Sequence, residues 1–135
     1  MKTTHSHSID RLYTNLGKLF YAIAASDKNI NSAEIKALKD FVQKEWLKVD
    51  DFEDEFGTDA AYQIEIMFDL LMENPPEAAD AFQDFKDFKA RHENLFSAEI
   101  KKLTWKTADA IAAAFAGKNK SEVIMLSKLK AILKS

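Results

Sequence analysis

Apolar residues recur at three- and four-residue spacing along most of the chain, the period of an amphipathic α-helix. Six stretches carry the pattern. In the first, Ile9, Leu12, Leu16, Leu19, Phe20 and Ile23 form one stripe, with Ser8 as a suitable N-cap and an end near Asp27. Tyr13 and Tyr21 fall on its flanks. The second opens at Asn31 or Ser32, where Asn31 and Glu34 have capping-box spacing, and turns Ile35, Leu38, Phe41, Val42 and Trp46 inward. The third is expected from a Thr58 cap to about Glu73, with Tyr62, Ile66, Met67, Leu70 and Leu71 on its buried side. Asn74-Pro75-Pro76 stops it, and Pro76 suits the first turn of the fourth helix. That helix carries Ala78, Ala81, Phe82, Phe85, Phe88 and His92 on one face. Ser97 opens the fifth, with Ile100, Leu103, Thr107, Ile111 and Ala114 inward. The sixth runs from about Ser121 on Val123, Leu126, Leu129 and Leu133.

The expected fold is therefore all-α, with about six helices. Residues 1–7 hold nothing that can be buried and read as a disordered tail; 8–135 form a single domain. The acidic run from Asp50 to Gly57 breaks the second helix and reads as a loop, because like charges repel and Gly57 tolerates a turn.

The pattern also repeats. At an offset of 88 residues, Lys18 matches Lys106, Ala22-Ile23-Ala24-Ala25 matches Ala110-Ile111-Ala112-Ala113, Asn31 matches Asn119, Glu34 matches Glu122 and Leu38 matches Leu126. Polar Asn and Glu keep register with the apolar positions, which alanine-rich helices alike only in composition would not do. The physical reading is two pseudo-symmetric helical hairpins, helices 1–2 and 5–6, with helices 3 and 4 inserted between them.

Composition narrows the classes. Hydrophobic residues make up 47% and charged residues 30%, as in ordinary globular domains, and glycine (3) and proline (2) are too scarce for a hairpin-rich β fold. The chain has no cysteine, which excludes disulfides, thiolate metal sites and a cysteine nucleophile. No apolar run approaches the roughly 20 residues of a membrane span, and MKTTHSHS is no signal sequence, so a cytoplasmic protein is expected. Charge is segregated. Asp50 to Asp87 holds 13 acidic residues against Lys86 alone, whereas Glu99 to Ser135 holds 8 lysines against three acids. Two oppositely charged faces can attract each other within the domain, or one can dock a charged partner protein. Nucleic acid is an unsuitable partner, since the net charge is −3 and Trp105 is the one aromatic among the C-terminal lysines apart from Phe115.

An alanine-rich helix, an aspartate, a short polar turn and a glutamate seven residues on, here Ala22-Ile23-Ala24-Ala25-Ser26-Asp27-Lys28-Asn29-Ile30-Asn31-Ser32-Ala33-Glu34, resembles the TerB-like family. That family includes tellurite-resistance TerB proteins and the N-terminal domain of a membrane-anchored DnaJ-like co-chaperone. The resemblance spans about 8–134 and implies an all-helical fold with the motif in both halves. It also implies a non-enzymatic accessory role, linked to stress or the cell envelope, exercised by binding another protein. Family members commonly have glycine after the aspartate, where this chain has Lys28, and the second copy has Phe115 in place of the aspartate.

Candidate chemistry is sparse. Asp27, Asn29, Asn31 and Glu34 supply oxygen donors suited to a hard ion such as Ca²⁺ or Mg²⁺, and a divalent-metal module at the first hairpin turn is the alternative function. The EF-hand pattern fails, with Ser32 at the glycine position and Leu38 at the closing glutamate. His5 and His7 lie in the tail and His92 at a helix end, so no nucleophile–base set or di-iron pattern can be assembled. Glu65 and Asp69, at helical spacing, read as a solvated face. Asp27, placed against the negative end of a helix dipole, needs a compensating partner: a cation, or the open amides that begin helix 2.

Overall fold

The structure is a computed structural model and describes residues 2–28, 30–47, 61–114 and 119–134, with side chains from Asp10 onward. All regular structure among them is helical: α1 (Lys2–Ala24), α2 (Ser32–Phe41), α3 (Tyr62–Glu73), α4 (Ala78–Arg91), α5 (Ala98–Ala113) and α6 (Lys120–Lys134). A π-helical turn, Val42–Trp46, extends α2, and a 3₁₀ turn, Glu93–Leu95, follows α4. The six-helix, all-α expectation holds.

Helix α1 is the axis of the molecule. It packs against α3, α4, α5 and α6, so Leu19 to Ala25 is buried without interruption. A helix apolar all round belongs inside such a shell. Tyr13 and Tyr21, expected on its flanks, are buried too. Tyr13 meets the Trp46 ring edge-on at 6.2 Å, and the Tyr21 hydroxyl donates to the Pro76 carbonyl at 3.0 Å, so each has a use for its polar end or ring edge. Helix α1 also starts at Lys2 rather than Ser8: residues 2–7, expected as a tail, continue the helix, and no proline or glycine there interrupts it. At Gly17, α3 comes so close that a Cβ would lie 2.8 Å from the Ile64 carbonyl oxygen and 2.8 Å from Met67 Cβ.

The two hairpins engage crosswise. Helix α1 touches α5 and α6, while α2 lies on α5, the exchange of contacts that a pseudo-twofold relation demands. Repeat-equivalent residues take equivalent places: Ile23 and Ile111 are fully buried, as are Leu38 and, nearly so, Leu126. Trp46, delivered by the π-helical turn, donates from Nε1 to Thr107 Oγ1 at 2.9 Å and ties α2 to α5.

On two helices the buried face differs from the one that periodicity predicts. On α3, Ile64 and Phe68 are buried while Ile66 and Leu70 are about half exposed. Apolar residues surround this helix, so spacing alone could not choose its inner face. On α6, Val123 is exposed and its neighbour Glu122 is buried in the same row as Leu126, Leu129 and Leu133. At the start of α4 the cap position belongs to Glu77, with Pro76 just outside the helix. The expected Thr58 cap and the acidic loop lie outside the described residues.

Candidate functional site

Of the residues that the sequence marks around the first hairpin turn, Asp27, Asn31 and Glu34 gather where the two hairpins meet. Helix α1 ends in a turn in which Lys28 donates its amide to the Ala25 carbonyl at 2.8 Å. Lys28 takes a left-handed backbone, φ 69°, the conformation that glycine adopts without cost. The chain then enters α2 through the expected capping box. Asn31 Oδ1 accepts from the Glu34 amide and Glu34 Oε1 accepts from the Asn31 amide, both at 3.1 Å.

The second hairpin builds the same box. Asn119 Oδ1 accepts from the Glu122 amide at 2.8 Å, and Glu122 Oε1 accepts from the Asn119 amide at 3.0 Å. The two boxes are also joined. Asn119 Nδ2 donates to Asp27 Oδ2 at 2.7 Å, and Glu122 acts on the Glu34 carboxyl by hydrogen bonding and charge. Glu34 is 3% exposed and Glu122 1%. These carboxyls belong to equivalent positions, so the repeat's axis brings like beside like.

Burial makes this costly. It raises the Glu34 carboxyl from its ordinary range to about 8; the hydrogen bond and charge of Glu122 and the charge of Asp27 push the same way, against the stabilising Asn31 amide. Glu122 Oε2 is buried and receives no N–H or O–H from the described residues when both carboxyls are ionised. A proton on Glu34 supplies the missing donor. An acid–anion pair thus satisfies Glu122 Oε2, while two anions leave it without a donor.

A hard cation fits the expected ligands poorly. Asp27 Oδ2 is engaged by Asn119, Asn31 Oδ1 by the Glu34 amide and Glu34 Oε1 by the Asn31 amide; Asn29 lies outside the described residues. Among the described residues no three His, Cys, Asp or Glu side chains are grouped to hold a metal. The sequence relates Glu122 to Glu34 only as a repeat position. Its register was the signal that could have paired them.

Other charged features lie elsewhere. Glu65, read as solvated, has Oε2 buried without a hydrogen bond, and desolvation raises its carboxyl against the pull of Lys39 and Gln43. Asp69 faces Lys39 at 3.5 Å. Lys89 is buried, bonded to Glu93 at 2.7 Å and held over the Phe96 ring, a contact the phenylalanine stripe did not announce. His92 stacks on Phe88 with ring centroids 4.4 Å apart. Between α4 and α6 runs a cleft of about 540 Å³, lined by Phe82, Met125 and Ile132 together with Lys86 and Lys128. No helix among the described residues is long and apolar enough to cross a membrane.

Compared with known proteins, the chain matches no family model, no curated protein and no solved structure.

Proposed function

We propose that the chain is a non-enzymatic, TerB-like accessory module, linked to stress or envelope function, that binds another protein. The observation that carries this reading is the cleft between α4 and α6. Its lining combines the apolar Phe82, Met125 and Ile132 with the exposed lysines Lys86 and Lys128. Such a groove suits a segment with one apolar face and acidic residues beside it, taken up as a helix-in-groove. The acidic stretch of this chain meets lysines from its own first two helices, Lys18 with Asp84 at 3.3 Å and Lys39 with Asp69 at 3.5 Å, while Lys128 lines the cleft.

The TerB-like reading draws support from the first hairpin turn. The family commonly has glycine after the aspartate, and here that position, Lys28, has the left-handed backbone for which glycine is the natural choice. Both hairpins also carry the asparagine–glutamate box at the start of their second helix.

The test is a pull-down from the native host with wild-type protein beside the double variant Lys86→Glu/Lys128→Glu. A protein retained by the wild type and lost from an equally stable variant supports the cleft as the binding surface. Equal retention by both places binding elsewhere.

A further inference from the structure

We propose that Glu34 and Glu122 hold one shared proton, and that this proton latches the opening of α2 to the opening of α6. Each glutamate spends Oε1 on its own cap, and across the junction between hairpins the Glu122 side chain acts on Glu34 by hydrogen bonding and by charge. Neither can turn to water, with 3% and 1% of their surfaces exposed. Glu122 Oε2 has no other donor among the described residues. A carboxyl–carboxylate hydrogen bond is the one arrangement of this pair that satisfies that atom without moving either cap.

The surrounding charges favour retention of the proton. From the end of α1 comes Asp27, an anion; from α2 comes the Asn31 amide, the one group opposing protonation; from α6 comes Glu122 itself. The α5 helix, which packs on both α1 and α2, sends no charge that acts on Glu34. Among the described residues, Lys28 and Lys120 are the cations nearest the two caps in sequence; both are exposed, and neither is among the groups acting on Glu34. Loss of the proton leaves two buried anions in contact, with Asp27 a third nearby, and their repulsion drives the helix openings apart. The latch thus makes the junction of the repeats sensitive to pH in the range where the cell can vary it. It operates whether or not the cleft between α4 and α6 is the partner surface.

Carbon-13 NMR of glutamate-labelled protein, with amide hydrogen exchange over the same pH series, tests the proposal. One carboxyl of the pair should remain protonated at neutral pH, and the pair should titrate in two separated steps. Opening at the Asn31, Glu34, Asn119 and Glu122 amides releases that proton. Its equilibrium, corrected for base-catalysed exchange, should therefore rise about tenfold per pH unit between the ordinary glutamate range and the upper step. In Glu34→Gln the amide keeps an oxygen for the Asn31 cap and gives Glu122 a permanent donor, so the upper step and the pH-dependent opening should both vanish. Glu122→Gln should do the same from the other side, and serves if Glu34→Gln does not fold. Two carboxyls that both ionise in the ordinary glutamate range would overturn the latch, as would undiminished pH dependence in both glutamine variants. Protection that Mg²⁺ or Ca²⁺ restores in the wild type at high pH, but not in Glu34→Gln, would replace the proton with a cation.

Discussion

Asn119 donates a 2.7 Å hydrogen bond to Asp27, and so the cap of the second hairpin neutralises part of the charge at the turn of the first. An acidic group close to the C-terminal end of α1 opposes the helix dipole by roughly 0.3–1 kcal/mol. The repeat partly offsets that cost from its other half. The mirror-image bond cannot form, because the residue equivalent to Asp27 is Phe115. Asn119→Ala should lower stability by about 1–2 kcal/mol, through loss of the cap and of this charge-assisted bond. Asp27→Asn should cost under ~1 kcal/mol, since its carbonyl oxygen can still accept. A double-mutant cycle of Asp27→Ala with Asn119→Ala in chemical denaturation checks the pair; a coupling near zero would show that the contact contributes nothing.

Lys28 sits at φ 69° on an exposed turn. Lys28→Gly should raise stability by roughly 0.5–1 kcal/mol, despite the extra freedom glycine gives the unfolded chain. Thermal melting of the two proteins under one buffer decides it. A drop in melting temperature would mean that Lys28 makes a compensating contact.

Gly17 lies mid-helix, where alanine is ordinarily better by about 1 kcal/mol. Here a Cβ would meet the Ile64 carbonyl oxygen and Met67 Cβ at 2.8 Å, forcing α3 away from α1. Gly17→Ala should therefore destabilise by ~1–3 kcal/mol. A gain in stability would show that α3 can shift without loss.

Ile23 and Ile111 are equivalent in the repeat, and both have no exposed surface. Truncating either to alanine removes buried methyl groups and leaves a cavity, at about 2–5 kcal/mol. Urea titration of the single variants gives the cost. Similar values at the two sites support equivalent packing, and a loss below ~1 kcal/mol at both would contradict the burial.

The Glu34 carboxyl is raised in the folded state to about 8, whereas in the unfolded chain it ionises in the ordinary range near 4.5. Between those values the folded protein binds more protons than the unfolded, so stability falls as pH rises. The contribution is complete below about 4.5 and lost above about 8. Melting temperature should be higher at mildly acidic pH than at mildly alkaline pH, by several degrees at roughly 3–5 °C per kcal/mol for a chain of this size. Glu34→Gln should flatten much of that slope and raise the alkaline melting temperature. Glu65, whose carboxyl is also raised, adds a slope of the same sign that should survive in the variant.

Local chemistry was legible without the fold. The Asn31–Glu34 box, the Ser97 cap, the proline stop after α3 and the buried stripes of α1, α4 and α5 depend on neighbours within one or two turns. Periodicity and side-chain reach are enough to specify such features. The 88-residue register likewise predicted which positions are equivalent.

What equivalence would bring into contact was a tertiary matter. Spacing treats Glu122 as a polar residue beside an apolar seam, and it favoured Val123 as the buried one. Packing turned α6 so that Glu122 lies inside against Glu34, where an isolated amphipathic helix would expose it. The same holds for α3, whose apolar residues on every side left its inner face to be chosen by the close approach of Gly17. The sequence by itself determined the helices, the Asn31 and Ser97 caps and the duplication, because these rest on interactions local in the chain. Only the tertiary structure decided that two glutamates 88 positions apart share one buried site, because burial and electrostatic contact depend on how the helices are assembled.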